Sequence, residues 1–382
     1  MLKRKPYATI AMTVVTMALL ICACNKEGKI TFEDQFTLKR TGQISFALDS
    51  MTKKEHPVIN FSQDYNSLCV FNEINHSIYF FDVSNEETTK VIQFEKEGPN
   101  GVSRVAAMLI HAKDSIFLFN DSSNEIILMN ERAELIKRFR FFDRGLGDPA
   151  RVLEPDIYFN NNNIYLLGRV ASFTLKSKDK NIVKYVIEKD STEFLMDYPA
   201  SYQEGKWSSK LMNKFAIHNP VSDEFVISFP FDPYIHIYNE KLNTTNKYYA
   251  GSDLMRQPEQ ITEKEKSNVP DYLLGNSWYW RVFHDPYKDI YLRSAALGYD
   301  MQKTDLKKRK YGSNNRDGIF NVTIILNKDF QKVGEVINLN FYKATFSTKD
   351  GIYIQDFVTD SDNEDVMVFS RHELVEKSNA KN

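Results

Sequence analysis

The chain has 382 residues, with 49 basic and 51 acidic side chains, so its formal net charge is −2. A charge this close to balance gives no electrostatic reason to expect nucleic acid as a partner. The length alone would suggest two domains, unless internal repeats change the count.

The first 23 residues have the pattern of a secretory signal peptide. Three positive charges, Lys3, Arg4 and Lys5, precede an almost unbroken apolar run from Ile10 to Ile21. The run is about 12 residues long, whereas a helix needs roughly 20 to cross a bilayer. We therefore expect residues 1–23 to be a cleaved signal and not a permanent membrane span.

The end of this segment, Ile21-Cys22-Ala23-Cys24, resembles a lipobox. A branched apolar residue stands three positions before Cys24 and a small residue stands just before it, as the signal peptidase requires. Cys22 fits less well, because Ile21 would then precede the cut. The pattern predicts lipidation of Cys24; the alternative is an ordinary signal with a coincidental cysteine.

Cleavage would remove three basic side chains and leave 46 against 51 acidic ones, a net charge of −5. Only Cys69 would remain as a free thiol, so no intramolecular disulfide is expected. Residues 24–41 would form the lipid anchor and tether. Asn25-Lys26-Glu27 does not resemble an inner-membrane retention signal, which favours the outer membrane and leaves the periplasmic or external side open.

The mature chain contains a repeat. The segments 67–82 and 115–130 align without a gap, and each reads as two short apolar strands around a polar turn rich in Asn. Such a pattern is typical of a β-hairpin. A further strand and a glycine-proline loop follow each hairpin, which indicates a unit of about four strands.

The second strand of this unit recurs along the chain. Its six copies begin near Leu68, Ile116, Ile164, Phe225, Ile290 and Ile352, at intervals of 48, 48, 61, 65 and 62 residues. Six sheets of about four strands predict an all-β fold, a six-bladed β-propeller over residues 42–382. The alternative is an open β-sandwich whose strands are spaced this way by coincidence.

The two ends of the chain predict how the ring closes. The last unit lacks one strand, since its strands are expected near 341–347, 351–357 and 365–370. The segment Gly42–Leu48 is an unassigned strand at the start. Pairing this strand with the last blade would complete the blade and remove an exposed edge.

These features together resemble an uncharacterised family of six-bladed β-propeller lipoproteins common in Bacteroidota. The resemblance rests on the lipobox at Cys24, the hairpin units and the glycine-proline crossover after a unit's last strand. It covers nearly the whole mature chain. It implies a fold and a membrane anchor, and no catalytic residue.

Three of the seven histidines occupy similar positions. His111, His218 and His284 lie shortly before the second strands of their units. If they converged at the channel they could bind a metal ion, because imidazole suits zinc or iron. The favoured interpretation is that they belong to turns, because Asn-Pro and Asp-Pro follow two of them and other units lack the histidine. We expect no metal and no cofactor.

The glycine-proline crossover loops frame the face where propellers usually bind ligands. The sequence therefore predicts a candidate ligand face, although the loops are also typical of structural turns. Trp207, which lies in a polar stretch, is added as an exposed aromatic side chain. The nominated residues are Gly98, Pro99, Asn100, Gly145, Asp148 and Trp207.

No catalytic motif is specific enough to name a reaction, since no Gly-x-Ser-x-Gly elbow occurs. The leading hypothesis is a lipid-anchored propeller that binds a small molecule, a glycan or a protein without catalysis. The alternatives are a glycan- or peptide-processing enzyme with its site at the central channel, and a purely structural envelope component. An apolar or aromatic channel face would favour binding, and convergent titratable groups would favour the enzyme.

Overall fold

The computed structural model describes residues 34–52, 58–141, 151–153, 156–171, 180–204, 214–256, 259–260, 272, 275–298, 321–337, 339, 341, 344–356 and 365–378. Residues 34–382 form one compact unit. Regular structure within it is almost entirely β-strand. No helix in the described ranges is long and apolar enough to span a membrane.

Four sheets contain four antiparallel strands each. The first sheet comprises β2 (Val58–Ser62), β3 (Ser67–Asn72), β4 (Ser77–Asp82) and β5 (Thr88–Gln93). The second comprises β6 (Ala107–Ala112), β7 (Ser115–Asn120), β8 (Glu125–Met129) and β9 (Leu135–Arg140). The third comprises β11 (Ile157–Asn160), β12 (Asn163–Leu166), β14 (Lys180–Val186) and β15 (Ser191–Asp197). The fourth comprises β16 (Phe215–Asn219), β17 (Glu224–Ser228), β18 (Tyr234–Asn239) and β19 (Thr244–Tyr249).

A fifth sheet has eight strands in the order β20-β21-β22-β23-β1-β26-β25-β24. Its members are β20 (Trp278–Asp285), β21 (Ile290–Ala296), β22 (Asn321–Leu326), β23 (Lys332–Ile337), β1 (Phe36–Ala47), β26 (Val366–Glu376), β25 (Gly351–Gln355) and β24 (Thr345–Thr348). Outside the large sheets, β10 (Arg151–Leu153) pairs with β13 (Arg169–Ala171), and a short helix α1 covers Ala200–Glu204.

The all-β, propeller-like fold is confirmed, but the described strands form four four-stranded sheets and one eight-stranded sheet instead of six separate sheets. The eight-stranded sheet consists of two antiparallel runs of four, joined where Phe36 of β1 meets Gly334 of β23 in a single parallel pairing. A Cβ at Gly334 would collide with the Phe36 carbonyl oxygen. Glycine therefore permits the backbone contact that merges the two runs.

The N-terminal strand pairs with the last run along its whole length, from Phe36–Glu376 to Ala47–Val366. It begins six residues before the predicted start at Gly42. All six predicted anchors lie in second strands, namely β3, β7, β12, β17, β21 and β25. The two hairpins that align without a gap are also present, as β3–β4 and β7–β8.

Burial decreases from the middle strands toward the outer ones. Every residue of β3 is buried, whereas five of the six residues of β19 are exposed. Six clusters of buried apolar side chains lie between successive runs of strands in the described part of the chain. One of them packs Phe46 and Phe369 against Leu68 and Val70 of the first sheet, so the last run packs back on the first. Burying such a side chain contributes about 1.5–3 kcal/mol.

Candidate functional site

A cavity of about 210 Å³ lies where the first strands of several runs come together. Four of these strands supply its wall, and the first strand is the innermost of its run because neighbouring first strands contact one another. The lining residues are Ile59, Asn60 and Phe61 from β2, Met108 from β6, Asp156 and Ile157 at the start of β11, and Thr345 and Phe346 from β24. The cavity therefore opens at the centre of the molecule.

Five of the eight residues that line this channel cavity are apolar, although most of the surface that they expose to it is polar. Phe61 stacks on Phe346 with ring centroids 4.9 Å apart, and Phe346 stacks in turn on Tyr353 at the same separation. The polar side chain of Asn60 is already engaged, because its oxygen accepts a hydrogen bond of 3.1 Å from the backbone N–H of Ile110. The lining thus combines aromatic rings with one acidic side chain, Asp156.

One ion pair stands at the edge of the cavity. The Arg281 guanidinium lies 3.9 Å from the Asp156 carboxylate, which is longer than a hydrogen bond, and packs over the Phe215 ring at 5.4 Å. Arg281 lies in a β-bulge, where the pairing of β20 with β21 shifts between Tyr279 and Val282. A bulge changes the direction of a side chain, which accounts for Arg281 reaching toward another run.

Two of the three predicted histidines are held by their own turns. His218 Nε2 lies 3.1 Å from Asp223 Oδ1, and its ring stacks on Tyr158 at 3.6 Å between centroids. His284 lies 3.4 Å from Asp289 Oδ1 in the same way. Burial lowers the pKa of His218 to about 4, although Asp223 acts in the opposite direction. Both rings are therefore neutral parts of the packing near pH 7.

His111 occupies a bulge in β6 and is exposed, with its ring edge against Phe159 at 5.0 Å. Within the described ranges, no three histidine, cysteine or acidic side chains are grouped so that they could hold a metal ion. The structure therefore does not bring His111, His218 and His284 together into one site.

The candidate ligand face is described in part. Gly98, Pro99 and Asn100 are exposed in the loop between β5 and β6, and Gly98 has a positive φ of 90° that favours glycine. Arg138 stabilises this loop by donating hydrogen bonds to the carbonyls of Pro99 and Gly101 at 3.0 and 2.7 Å. Gly145, Asp148 and Trp207 lie outside the described residues.

A family model for a domain of unknown function, DUF4221, matches residues 33–337. The chain belongs to this family. A DUF4221 structure from Bacteroides vulgatus is similar at 19% identity and a TM-score of 0.75, covering 90% of this chain and 99% of that one. A Bacteroides fragilis protein described as predicted to be exported is similar at 11% identity and a TM-score of 0.58, covering 91% and 99%. Among curated proteins, none matches this sequence.

These similarities to solved structures show the fold alone, because the sequence identities are low. They fit the predicted resemblance to an uncharacterised Bacteroidota family. Neither the number of blades nor the lipid anchor follows from them.

Sequence reasoning missed Arg293, whose side chain donates more hydrogen bonds than any other among the described residues of this DUF4221 chain. Arg293 is fully buried in β21 and donates five hydrogen bonds to the fourth sheet and the segments next to it. Its guanidinium also lies 3.7 Å from the centre of the Tyr279 ring. The available signal was a single charge within the apolar strand 290–296. Arg293 holds two runs of strands together and does not face the channel cavity.

A larger cavity, of about 660 Å³, is a groove between the third and fourth sheets. Its charged side chains already have partners: Lys180 pairs with Asp197 at 2.5 Å, and Lys184 with Glu240 at 2.6 Å. The channel cavity is smaller, but it lies where the first strands of several runs meet, and the ion pair Asp156–Arg281 stands at its edge. We therefore take the channel cavity and the pair Asp156–Arg281 as the candidate site.

Proposed function

We propose that this chain is a lipid-anchored six-bladed propeller that binds a small amphiphilic ligand, or an exposed side chain of a protein, at its channel without catalysis. The observation that carries the proposal is a central channel cavity, five of whose eight lining residues are apolar, with one ion pair at its edge. Among the described residues that line the cavity, Asp156 alone is titratable, which favours binding over acid–base chemistry.

Six blades are supported by the way the runs pack. Six clusters of apolar side chains separate the runs, and the eight-stranded sheet divides naturally at its one parallel pairing, Phe36 with Gly334. In addition, four first strands supply the cavity wall, and Phe215 of β16 and Arg281 of β20 add two more at its edge, which makes six first strands.

The anchor is supported by the lipobox at Cys24 and by the similarity to a Bacteroides fragilis protein described as predicted to be exported. Acyl chains bury CH₂ groups at about 0.8 kcal/mol each, so several chains on one residue hold firmly. We place the protein at the outer membrane. Palmitate incorporation should be lost in Cys24→Ala and retained in the matched control Cys22→Ala, and incorporation that survives Cys24→Ala would refute the anchor.

The size of the cavity limits the ligand. Its volume of about 210 Å³ is below the roughly 300–1,000 Å³ of pockets that enclose drug-sized molecules. It therefore has room for a single side chain or ring. A carboxylate on the ligand would meet Arg281, and an ammonium group would meet Asp156.

Calorimetric titration with glycyl-phenylalanine tests this geometry, with diglycine as the probe that lacks the ring. We expect the phenylalanine dipeptide to bind at least tenfold more tightly, and Arg281→Met to weaken its binding about tenfold. Arg132→Met is the matched control, because Arg132 is exposed and forms an ion pair with Glu134 at the surface. Equal affinity for both dipeptides would refute the proposal.

The same samples distinguish the enzyme alternative. Mass spectrometry of the dipeptide after incubation should show it intact. Free phenylalanine that appears with the parent protein and is reduced in Arg281→Met would instead favour a peptide-processing enzyme at this channel.

A further inference from the structure

Strand direction defines two faces of the ring. On one face, which we call the crossover face, the fourth strand of a run connects to the first strand of the next, as β5 does to β6. On the opposite face, the hairpin face, short turns join first to second and third to fourth strands. Examples are the turns 220–223 and 240–243 of the fourth sheet. The start of β11, with Asp156, lies toward the crossover face.

The N-terminal strand enters the ring from the hairpin face. Phe36 at the start of β1 pairs with Glu376, and Ala47 at its end pairs with Val366. The Glu376 end of β26 lies on the hairpin face, because Ile352, just after the β24–β25 turn, pairs with His372. Asp34 is fixed at this end as well, since it forms an ion pair with Lys377 and accepts a hydrogen bond of 3.2 Å from the Glu335 N–H.

The tether proposed from the lipid to the ring is consequently short. Only nine residues separate Cys24 from Asp34, and the ten Cα–Cα steps between these two residues span at most ~35 Å. Because β1 begins at Phe36 and not at the predicted Gly42, the tether is shorter than the sequence predicted. A lipid on Cys24 would therefore hold the hairpin face nearest to the bilayer.

The hairpin face also carries the two most exposed large apolar side chains of the described residues. Val221 is 84% exposed and Leu242 is 70% exposed, and each is at the tip of a turn in the fourth sheet. The two turns are linked by the ion pair Lys241–Asp223 at 2.7 Å. Isolated apolar side chains at the surface are common, but these two lie at neighbouring tips, on the face that the proposed tether would hold toward the bilayer.

Both tips are held rigidly. The side-chain oxygen of Asn219 accepts a hydrogen bond of 2.8 Å from the Val221 N–H, and that of Asn239 accepts one of 3.0 Å from the Leu242 N–H. Such turns fix the backbone, so the apolar side chains project outward without collapsing onto the sheet.

We propose that the hairpin face lies against the lipid bilayer, with Val221 and Leu242 at the level of the headgroups and the channel cavity facing away from the membrane. The inference rests on the proposed anchor at Cys24 and adds an orientation to it. Ligands would then approach the crossover face from the aqueous side, without competing with the bilayer.

Fluorescence quenching in reconstituted vesicles tests this orientation. Full-length lipidated protein carrying Val221→Cys or Leu242→Cys would be labelled with an environment-sensitive dye and placed in vesicles of phosphatidylethanolamine and phosphatidylglycerol that contain spin-labelled lipid. Ile74→Cys is the matched control, because Ile74 is 46% exposed in the β3–β4 turn on the crossover face. Cys69 does not interfere, since its side chain is fully buried.

We expect spin-labelled lipid to quench the dye at positions 221 and 242 at least fivefold more than at position 74. Equal quenching at all three positions, or greater quenching at 74, overturns the orientation. An absence of quenching at every position also overturns it and indicates that a protein covers these tips, or that the tether holds the ring clear of the lipid. Flotation of the same vesicles separates the two proposals, because failure of the anchor leaves the protein in the soluble fraction.

Discussion

Arg293 offers the sharpest test of how the ring is held together. Its guanidinium donates to Ser228 Oγ at 2.9 Å and to the carbonyls of Phe229, Asp232, Pro233 and Ala250 at 2.6–3.1 Å. All five N–H donors are therefore used. Burial lowers the pKa of Arg293 to about 10, so the group remains a cation at neutral pH.

Arg293→Met keeps most of the side-chain volume and removes every donor. The Pro233 carbonyl retains a hydrogen bond of 2.9 Å from the Ala250 N–H, but the carbonyls of Asp232 and Ala250 lose theirs from the guanidinium. Each buried polar group without a partner costs about 1–3 kcal/mol, and removing one side of a buried charged network costs about 3–5 kcal/mol. We expect the free energy of unfolding to fall by ~3–5 kcal/mol.

Thermal unfolding followed by circular dichroism measures this loss. With an unfolding entropy of about 2.1 cal/mol/K per residue over ~350 residues, the expected decrease in Tm is ~4–7 °C. Arg281→Met is the matched control, because Arg281 forms one ion pair of 3.9 Å and should lower Tm by less than ~1 °C. A Tm for Arg293→Met within 1 °C of the parent, or an equal loss in the control, would refute the reasoning.

Three further predictions concern buried titratable groups. The pKa of His218 is lowered from 6.5 to about 4, so between these pH values the unfolded state binds a proton that the folded state does not. The free energy of unfolding should therefore fall as the pH decreases from about 7 to 4. His218→Gln should make Tm depend less on pH in this range. Lys214 is buried over the Tyr198 ring with no hydrogen-bond acceptor in the described structure, and burial lowers its pKa well below the usual value. Lys214→Met should therefore raise the free energy of unfolding, measured by urea titration, by ~1–3 kcal/mol. A lower free energy of unfolding in the variant would contradict this. Burial raises the pKa of the Cys69 thiol, so a thiol reagent should label it only at the rate of unfolding, and immediate labelling would place it at the surface.

The hairpins could be predicted from sequence because their determinants are local. Asn72 and Asn120 occupy equivalent positions, and each side chain accepts hydrogen bonds from the backbone of its own turn, Ile74 N–H in one case and Ser122 N–H in the other. Apolar strands on either side of such a turn specify the same hairpin wherever they recur. The sequence does not predict the start of β1 at Phe36, because Lys39 and Arg40 are exposed on an outer strand and interrupt its alternation of buried and exposed residues.

The candidate site could not be predicted in the same way, because its parts meet only through the closure of the ring. Asp156 and Arg281 are far apart in sequence, and a bulge directs Arg281 toward its partner. For two of the histidines, in contrast, the sequence did contain a local signal. Asp223 and Asp289 each follow a histidine by five residues, a local signal for a turn contact that His111 lacks, since Ile116 stands in that place.

Arg293 and the candidate site are connected through the pairing of β20 with β21. Val282, the residue after Arg281, pairs directly with Arg293 across the β20–β21 ladder. Arg293 therefore fixes one side of the bulge that directs Arg281 toward Asp156. Loss of Arg293 should weaken binding at the channel as well as stability, because a mobile bulge no longer presents the guanidinium in one position.

A second destabilised variant separates these two effects. Phe139→Ala removes a buried ring from β9, where Phe139 packs edge-on against Tyr185 at 5.6 Å, and should also cost about 3–5 kcal/mol. At a temperature where both variants are folded, only Arg293→Met should reduce the affinity for glycyl-phenylalanine, by about threefold or more. If the two variants bind equally well, the link between Arg293 and the bulge is wrong, and Arg293 acts on stability alone.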